Sequence, residues 1–148
     1  FFFSFYLAFF LRDTLGLDFF LFIICICIFT DIGGYVFGKF LKGPKLTKIS
    51  PNKTYAGVAG GFILSLTVGL IFFKILEDKI FNSYSIEFLT FIFIISLISQ
   101  IGDLIISYFK RKAKVKDTGK FLPGHGGFLD RVDGLIFVIP IIYLYTII

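Results

Sequence analysis

The sequence has 148 residues, of which 57% are hydrophobic and 23 are phenylalanine, and its 15 basic and 10 acidic residues give a net charge of +5. A mean hydropathy of +0.92 excludes an ordinary soluble domain and predicts apolar runs that cross a membrane as helices. Because the chain lacks methionine and begins inside an apolar run, we expect that sequence preceding Phe1 is missing.

Five apolar segments can be separated, each roughly as long as a helix needs to be to cross about 30 Å of hydrocarbon, the first and last marginally. They cover residues 1–11, about 17–40, about 56–73, about 86–108 and about 131–148. A signal peptide is the alternative for the first segment, which lacks a basic leader and a small-residue cleavage site. Since only helices satisfy their own backbone in lipid and the runs do not alternate, we predict an all-α integral membrane protein with about five transmembrane helices. Residues 1–148 then form a single polytopic membrane domain.

The basic residues are concentrated in two stretches. Residues 39–53 contain five lysines and no acid, and residues 110–131 contain seven basic residues. The 74–87 loop has two lysines and three acids instead. By the positive-inside rule, the two basic stretches face the cytoplasm and the 74–87 loop lies outside. We therefore predict a multi-pass protein of the cytoplasmic membrane, with basic cytoplasmic loops that form a polar cavity.

Asp31 lies inside the second apolar segment. Its helical face also carries Gly34, Tyr35 and Gly38, so that a ligand or another helix can approach the carboxylate closely. An ionisable residue within a membrane span is a functional hypothesis by default. The alternative is a glycine-lined helix contact in which Asp31 is hydrogen-bonded or reaches the membrane surface.

Residues 49–55 precede the third apolar segment. Ser50 could cap a helix here, and a helix N-terminus with Lys53 and Thr54 suits an anion. The pattern is equally compatible with an ordinary helix start and with a phosphate contact.

The fourth segment carries a second intramembrane carboxylate, Asp103. Ser99, Asp103 and Ser107 follow at a spacing of four residues and form a polar stripe on one helix face. Small polar residues also serve helix packing in membranes, but serines alone would do so better than an aspartate. We therefore favour a functional role for Asp103.

Residues 107–133 concentrate the charged groups of the chain. The basic residues are Lys110, Arg111, Lys112, Lys114, Lys116, Lys120 and Arg131. The carboxylates are Asp117, Asp130 and Asp133, and a glycine turn containing His125, Gly126 and Gly127 lies between them. Basic side chains suit phosphate oxygens and carboxylates suit Mg²⁺, which together indicate a metal-dependent phosphoryl-group site. A single histidine disfavours zinc, and we favour a donor or loop-organising role for it over a general base.

These residues resemble the signature of the phosphatidate cytidylyltransferases, also called CDP-diacylglycerol synthases. That signature has a serine, Lys-Arg, Lys-Asp and an ending Pro-x-His-Gly-Gly-x-x-Asp-Arg-x-Asp. It is matched here by Ser107, Lys110-Arg111, Lys116-Asp117, Pro123, His125-Gly126-Gly127, Asp130-Arg131 and Asp133. The Asp31 helix and Ser50-Pro51-Asn52-Lys53-Thr54 are two further family-like blocks. The resemblance covers nearly the whole chain, as about the C-terminal half of a typical member.

The resemblance implies that CTP and phosphatidate react with Mg²⁺ to give CDP-diacylglycerol and pyrophosphate. It implies Asp103 and Asp130 as metal ligands. A second cation, which with the first would hold the attacking and leaving oxygens, is one way to neutralise their charge. The implied catalytic residues are Asp103, Asp130, Lys110, Arg111, His125 and Arg131. The implied substrate-binding residues are Asp31, Ser50, Lys53, Thr54, Ser107, Lys116, Asp117, Gly126, Gly127 and Asp133. The implied partners are CTP, phosphatidate, the lipid bilayer and a second copy of the chain, with no nucleic acid.

Other functions remain open at this point. Within the enzyme class, the acceptor could be another lipid phosphate or a polyprenol, or CTP could donate a phosphate. An ion or proton transporter would explain Asp31 and Asp103, but not the histidine-glycine turn. A non-catalytic protein whose basic loops bind anionic lipid would leave the aspartates unexplained.

Overall fold

The computed structural model describes residues 2–47, 50, 53–76, 86–115 and 129–147, with the side chains of all of these except 74–76, 129–131 and 147. Within this part, the secondary structure consists of α-helices and one isolated β-bridge. The helices are α1 (Phe2–Leu15), α2 (Leu17–Leu41), α3 (Tyr55–Leu76), α4 (Ile86–Lys112) and α5 (Leu129–Ile147). The predicted all-α class is confirmed.

Three of the described helices are long and apolar enough to cross a bilayer. They are α2, α3 over Tyr55–Phe73, and α4, and each has a mean hydropathy above 2. The α5 helix adds a shorter apolar stretch, Val132–Thr146. These lengths and compositions are those of an integral membrane protein.

The α2 and α3 helices form the closest pair, because glycines replace side chains where the two backbones meet. A Cβ added to Gly33 would lie 2.5 Å from the carbonyl oxygen of Gly60, and one added to Gly57 would lie 2.6 Å from that of Gly34. Neither backbone could yield cheaply to such an atom. This backbone-to-backbone approach is the way that small residues associate helices in lipid.

The apolar core lies towards the end of the bundle where α2 and α4 begin and α3 ends. Phe22 of α2 and Phe88 of α4 stack at 5.8 Å, and Phe73 of α3 meets Phe88 edge-on at 4.8 Å. All three side chains are fully buried. Such ring contacts add directional stabilisation to burial, and they fix this end of the bundle as its packed half.

The other half of the bundle is organised by contacts between α4 and α5 and by the segment that connects α2 to α3. Gly102 of α4 faces Phe137 of α5, and Gly134 of α5 fits against Ser99. Ser99 is thereby buried against α5, whereas Asp103 and Ser107 of the predicted stripe border an open cavity. The stripe is therefore divided between helix packing and the candidate site.

Candidate active site

A cavity of about 970 Å³ opens where α2 ends, α3 begins and α4 ends. Its polar lining comprises Thr30, Asp31, Tyr35, Ser50, Lys53, Thr54, Gln100, Asp103, Ser107 and Asp133. Its apolar lining comprises Ile28, Ile32, Leu46, Val58, Leu97, Ile101 and Leu104 together with Gly34 and Gly57. A pocket of this size, with a few convergent charged groups among apolar walls, is typical of a ligand site.

The α2 helix contributes Asp31 and Tyr35 to the cavity through the face that was predicted for them. Gly34 lies on the same face and lines the cavity beside Gly57 of α3. Asp31 experiences the charges of Asp103, Asp133 and Lys53. The two intramembrane aspartates that the sequence singled out therefore share one site.

The segment between α2 and α3 folds back on itself and presents Lys53 to the cavity. Lys45 and Thr54 form an antiparallel β-bridge, and the backbone N–H of Leu46 donates to the carbonyl of Lys53 at 2.8 Å. The helix cap is Thr54, whose hydroxyl accepts from the N–H of Gly57 at 3.1 Å. Of the two roles that the sequence left open for Ser50, capping is not the one observed, because the helix begins at Tyr55 and Ser50 lines the cavity instead.

Lys53 forms an ion pair with Asp103 across the cavity. About a quarter of each side chain is exposed, 26% for the lysine and 29% for the aspartate. The Ser107 hydroxyl donates to the other carboxylate oxygen of Asp103 at 3.4 Å. The pair joins the start of α3 to α4 and puts a cation beside the carboxylate.

A second ion pair links Lys110 of α4 to Asp133 of α5, at 3.7 Å between Nζ and Oδ2. Asp133 also accepts from the N–H of Gly134 at 2.9 Å, and it experiences the charge of Asp103. This pair is more buried than the first, with exposed fractions of 14% and 8%. The cavity is thus lined by Asp31, by the Lys53–Asp103 pair and by Asp133, whose partner Lys110 approaches from outside the lining.

The described residues include no group of three or more histidine, cysteine, aspartate or glutamate side chains that could hold a metal ion. Asp103 is well placed towards the cavity, but the side chain of Asp130, its predicted co-ligand, lies outside the described residues. The same is true of the Arg131 side chain and of Lys116, Asp117, His125, Gly126 and Gly127. Arg111 is described, and its exposed side chain does not line the cavity.

Sequence reasoning missed Thr30 and Gln100, which both line the cavity. Gln100 precedes Asp103 by three residues and shares its helix face, within the same apolar segment. The rule that singled out Asp103, a polar group inside a membrane span, applies to Gln100 in weaker form because an amide costs less to bury than a charge. Thr30, next to Asp31, carried no such signal.

The whole chain, residues 1–148, matches the Cytidylyltransferase family. Three similar relatives carry the name phosphatidate cytidylyltransferase and come from staphylococci. The identity over 133 residues is 43% for Staphylococcus saprophyticus, 41% for Staphylococcus epidermidis and 44% for Staphylococcus aureus. Each match covers 89% of this chain and 50% of the relative, so the chain spans about half the length of the curated relatives it matches.

Proposed function

The chain belongs to the cytidylyltransferase family, and from this premise we propose that the full-length protein transfers a cytidylyl group from CTP to phosphatidate. The products are CDP-diacylglycerol and pyrophosphate. The observation that carries the proposal is the cavity, in which lysine–aspartate pairs adjoin apolar walls inside a bundle of membrane-type helices. Such a site suits a reaction between a water-soluble triphosphate and a lipid phosphate.

In the proposed reaction, a phosphate oxygen of phosphatidate attacks the α-phosphorus of CTP. The bond from that phosphorus to the β-phosphate oxygen breaks, and pyrophosphate leaves with the bonding electrons. Because the attacking phosphate is already an anion, the step depends on positioning and charge neutralisation more than on a base. Lys53 and Lys110 are suited to hold phosphate oxygens, and Asp31 with Thr54 borders the nucleotide.

We propose Mg²⁺ as the cofactor, held by Asp103 and Asp130, with a second cation as a further option. The donor chemistry of the described residues fits, since the Asp103 carboxylate borders the cavity beside the Ser107 hydroxyl and near Asp133. Oxygen donors of this kind are those that Mg²⁺ prefers. When bound, the cation would neutralise charge that develops on the phosphate oxygens.

We assign the open end of the cavity to the cytoplasmic side of the cell membrane. The support is charge: the stretch 39–53 has five lysines, and Lys53 and Lys110 both reach carboxylates of this one cavity. CTP would then enter from the compartment that contains nucleotides. We further propose a homodimer, which the molecular mass of the detergent-solubilised protein tests.

The test of the function is CTP-dependent conversion of phosphatidate by the full-length protein in detergent micelles with Mg²⁺. Asp103→Asn and Asp130→Asn are each expected to lower turnover at least about 100-fold, because each removes charge where the phosphates react. Asp13→Asn is the matched control, since Asp13 is exposed on α1 away from the cavity.

Formation of CDP-diacylglycerol that is lost in both variants, but not in the control, supports the reaction and the metal ligands together. If the Asp103→Asn variant still turns over, the proposed reaction is supported and the assignment of Asp103 as a metal ligand is contradicted. A folded protein that forms no product with any phospholipid acceptor would contradict the proposed function, and ion-flux measurements would then test the transporter alternative.

A further inference from the structure

A line of polar side chains connects the three long helices, and it includes Thr30, which is next to Asp31, and Gln100, which precedes Asp103 by three residues. The Thr30 hydroxyl of α2 lies 2.9 Å from the Ser96 hydroxyl of α4 and 2.7 Å from the carbonyl of Ile26. The Gln100 side chain of α4 lies 3.5 Å, through Nε2, from both the Ser96 hydroxyl and the carbonyl of Val58 in α3. The network therefore contacts α2, α3 and α4, and two of its members, Thr30 and Gln100, line the cavity that Asp31 and Asp103 share.

The interior around this network is close-packed. Thr30 is 1% exposed and Ser96 is fully buried. A Cβ added to Gly61 of α3 would lie 2.9 Å from the Thr30 carbonyl oxygen and 3.1 Å from Gln100 Nε2. The glycine thus lets α3 close over both polar residues, and the three helices meet at one point.

Such a network matters more in lipid than in water. Apolar side chains gain little by facing a neighbouring helix instead of lipid tails, so burial alone sets the rotation of a helix only weakly. A rotation of about 10° moves a group that is about 6 Å from the helix axis by about 1 Å. A misplacement of about 1 Å at a reacting centre can cost about 100-fold in rate.

We propose that Thr30, Ser96 and Gln100 are positioning residues that fix the rotation of α2 and α4, and thereby direct Asp31 and Asp103 into the cavity. The inference rests on the proposed function for its kinetic consequence only. None of the three needs to contact substrate for this role. Each acts through the carboxylate that follows it on the same helix, Thr30 through Asp31, and Ser96 and Gln100 through Asp103.

The kinetic test compares Thr30→Val, Ser96→Ala and the double variant in the full-length protein. Turnover is expected to fall about tenfold in each, with KM for CTP changed less than about twofold, because geometry at the reacting centre changes and binding groups stay. The double variant should be no slower than the slower single variant, since Ser96→Ala already breaks the contact between α2 and α4 that Thr30→Val removes. Thr30→Ser, which keeps the hydroxyl, should restore turnover.

Ser65→Ala and Thr67→Val are the matched controls. Among the described residues, the fully buried Ser65 hydroxyl bonds the carbonyl of Phe62 in its own helix and no other group, and Thr67 likewise bonds that of Ile63. Both control variants should turn over at the parent rate. An equal loss in the controls, a change in KM alone, or effects that multiply in the double variant would each overturn the proposal.

A second measurement reports helix rotation without relying on activity. Leu104 of α4 is half-buried and lines the cavity, so the rate at which a charged thiol reagent labels Leu104→Cys depends on the rotation of α4. The native cysteines Cys25 and Cys27 are replaced by alanine in this background. The Ser96→Ala change should alter the labelling rate severalfold, and Ser65→Ala should not. An unchanged labelling rate would overturn the inference. If the labelling rate changes but the full-length parent protein forms no CDP-diacylglycerol, the positioning role is upheld and the proposed reaction is contradicted.

Discussion

Replacing Lys53 by methionine removes the positive charge beside Asp103 and keeps an unbranched side chain of similar length. Two unit charges about 4 Å apart interact with about 4 kcal/mol at an effective dielectric constant of about 20. Because about a quarter of each side chain is exposed, screening by solvent lowers this figure, and we take about 1.4 kcal/mol. Lys53→Met should therefore bind a divalent cation about tenfold more tightly in the absence of nucleotide, since the cation no longer displaces the lysine from Asp103.

The same substitution should weaken nucleotide binding. A charge-assisted contact to phosphate is worth about 1.5–3 kcal/mol, which corresponds to a loss of about 10- to 150-fold in CTP affinity. The two ligands are thus expected to respond in opposite directions to one change. A variant that merely folds poorly would lose affinity for both.

The assay is a titration of the full-length protein in detergent with Mn²⁺, followed by electron paramagnetic resonance, and a calorimetric titration with CTP. Lys42→Met is the matched control, because Lys42 is exposed at the end of α2 and does not line the cavity. It should leave both affinities unchanged. Cation affinity in Lys53→Met that equals or falls below that of the control would refute the reasoning.

Two further predictions concern stability, measured as the midpoint of thermal unfolding in detergent. Gly33→Ala should destabilise by about 1–3 kcal/mol, because the new methyl group meets the α3 backbone. Gly69→Ala should cost less, since its methyl group meets the side-chain ends of Ile92 and Ile26 and no backbone atom. An equal effect at both glycines would contradict this reading of the α2–α3 contact. Thr54→Val should lower the free energy of unfolding by about 1 kcal/mol, because the α3 cap is lost, and Thr54→Ser should keep the parent midpoint. A valine variant as stable as the serine variant would show that the cap contributes nothing.

The positions and order of the five described helices could be predicted from the sequence because each follows an apolar run, although three of the predicted five are long and apolar enough to cross a bilayer. Their ends could not, since helices continue into polar sequence. The α1 helix passes the predicted end at residue 11 and reaches Leu15, where Gly16, at φ 85°, begins a new direction. The α4 helix extends through Lys110 to Lys112, where cations complement the C-terminal end of the helix dipole.

The candidate site was partly predictable for a related reason. Asp31 and Asp103 are conspicuous because a carboxylate in an apolar segment is costly, and the structure brings both to one cavity. The choice of partners, Lys53 for Asp103 and Lys110 for Asp133, depends on how separate helices are rotated and shifted against each other. Nothing in the order of residues along the chain encodes that choice directly.

The glycine contacts between α2 and α3 have a mechanical consequence. Where the two backbones are in direct contact, no side chain can change rotamer to absorb a displacement. We therefore expect α2 and α3 to move as one rigid unit. Widening of the cavity would then require α4 and α5 to move together away from the α2–α3 unit. The Lys53–Asp103 pair connects the start of α3 to α4, across the boundary between the two units. The Lys110–Asp133 pair connects α4 to α5, within the second unit. Widening of the cavity would stretch the first pair and leave the second unchanged, so Lys53 and Asp103 would separate while Lys110 and Asp133 stay together.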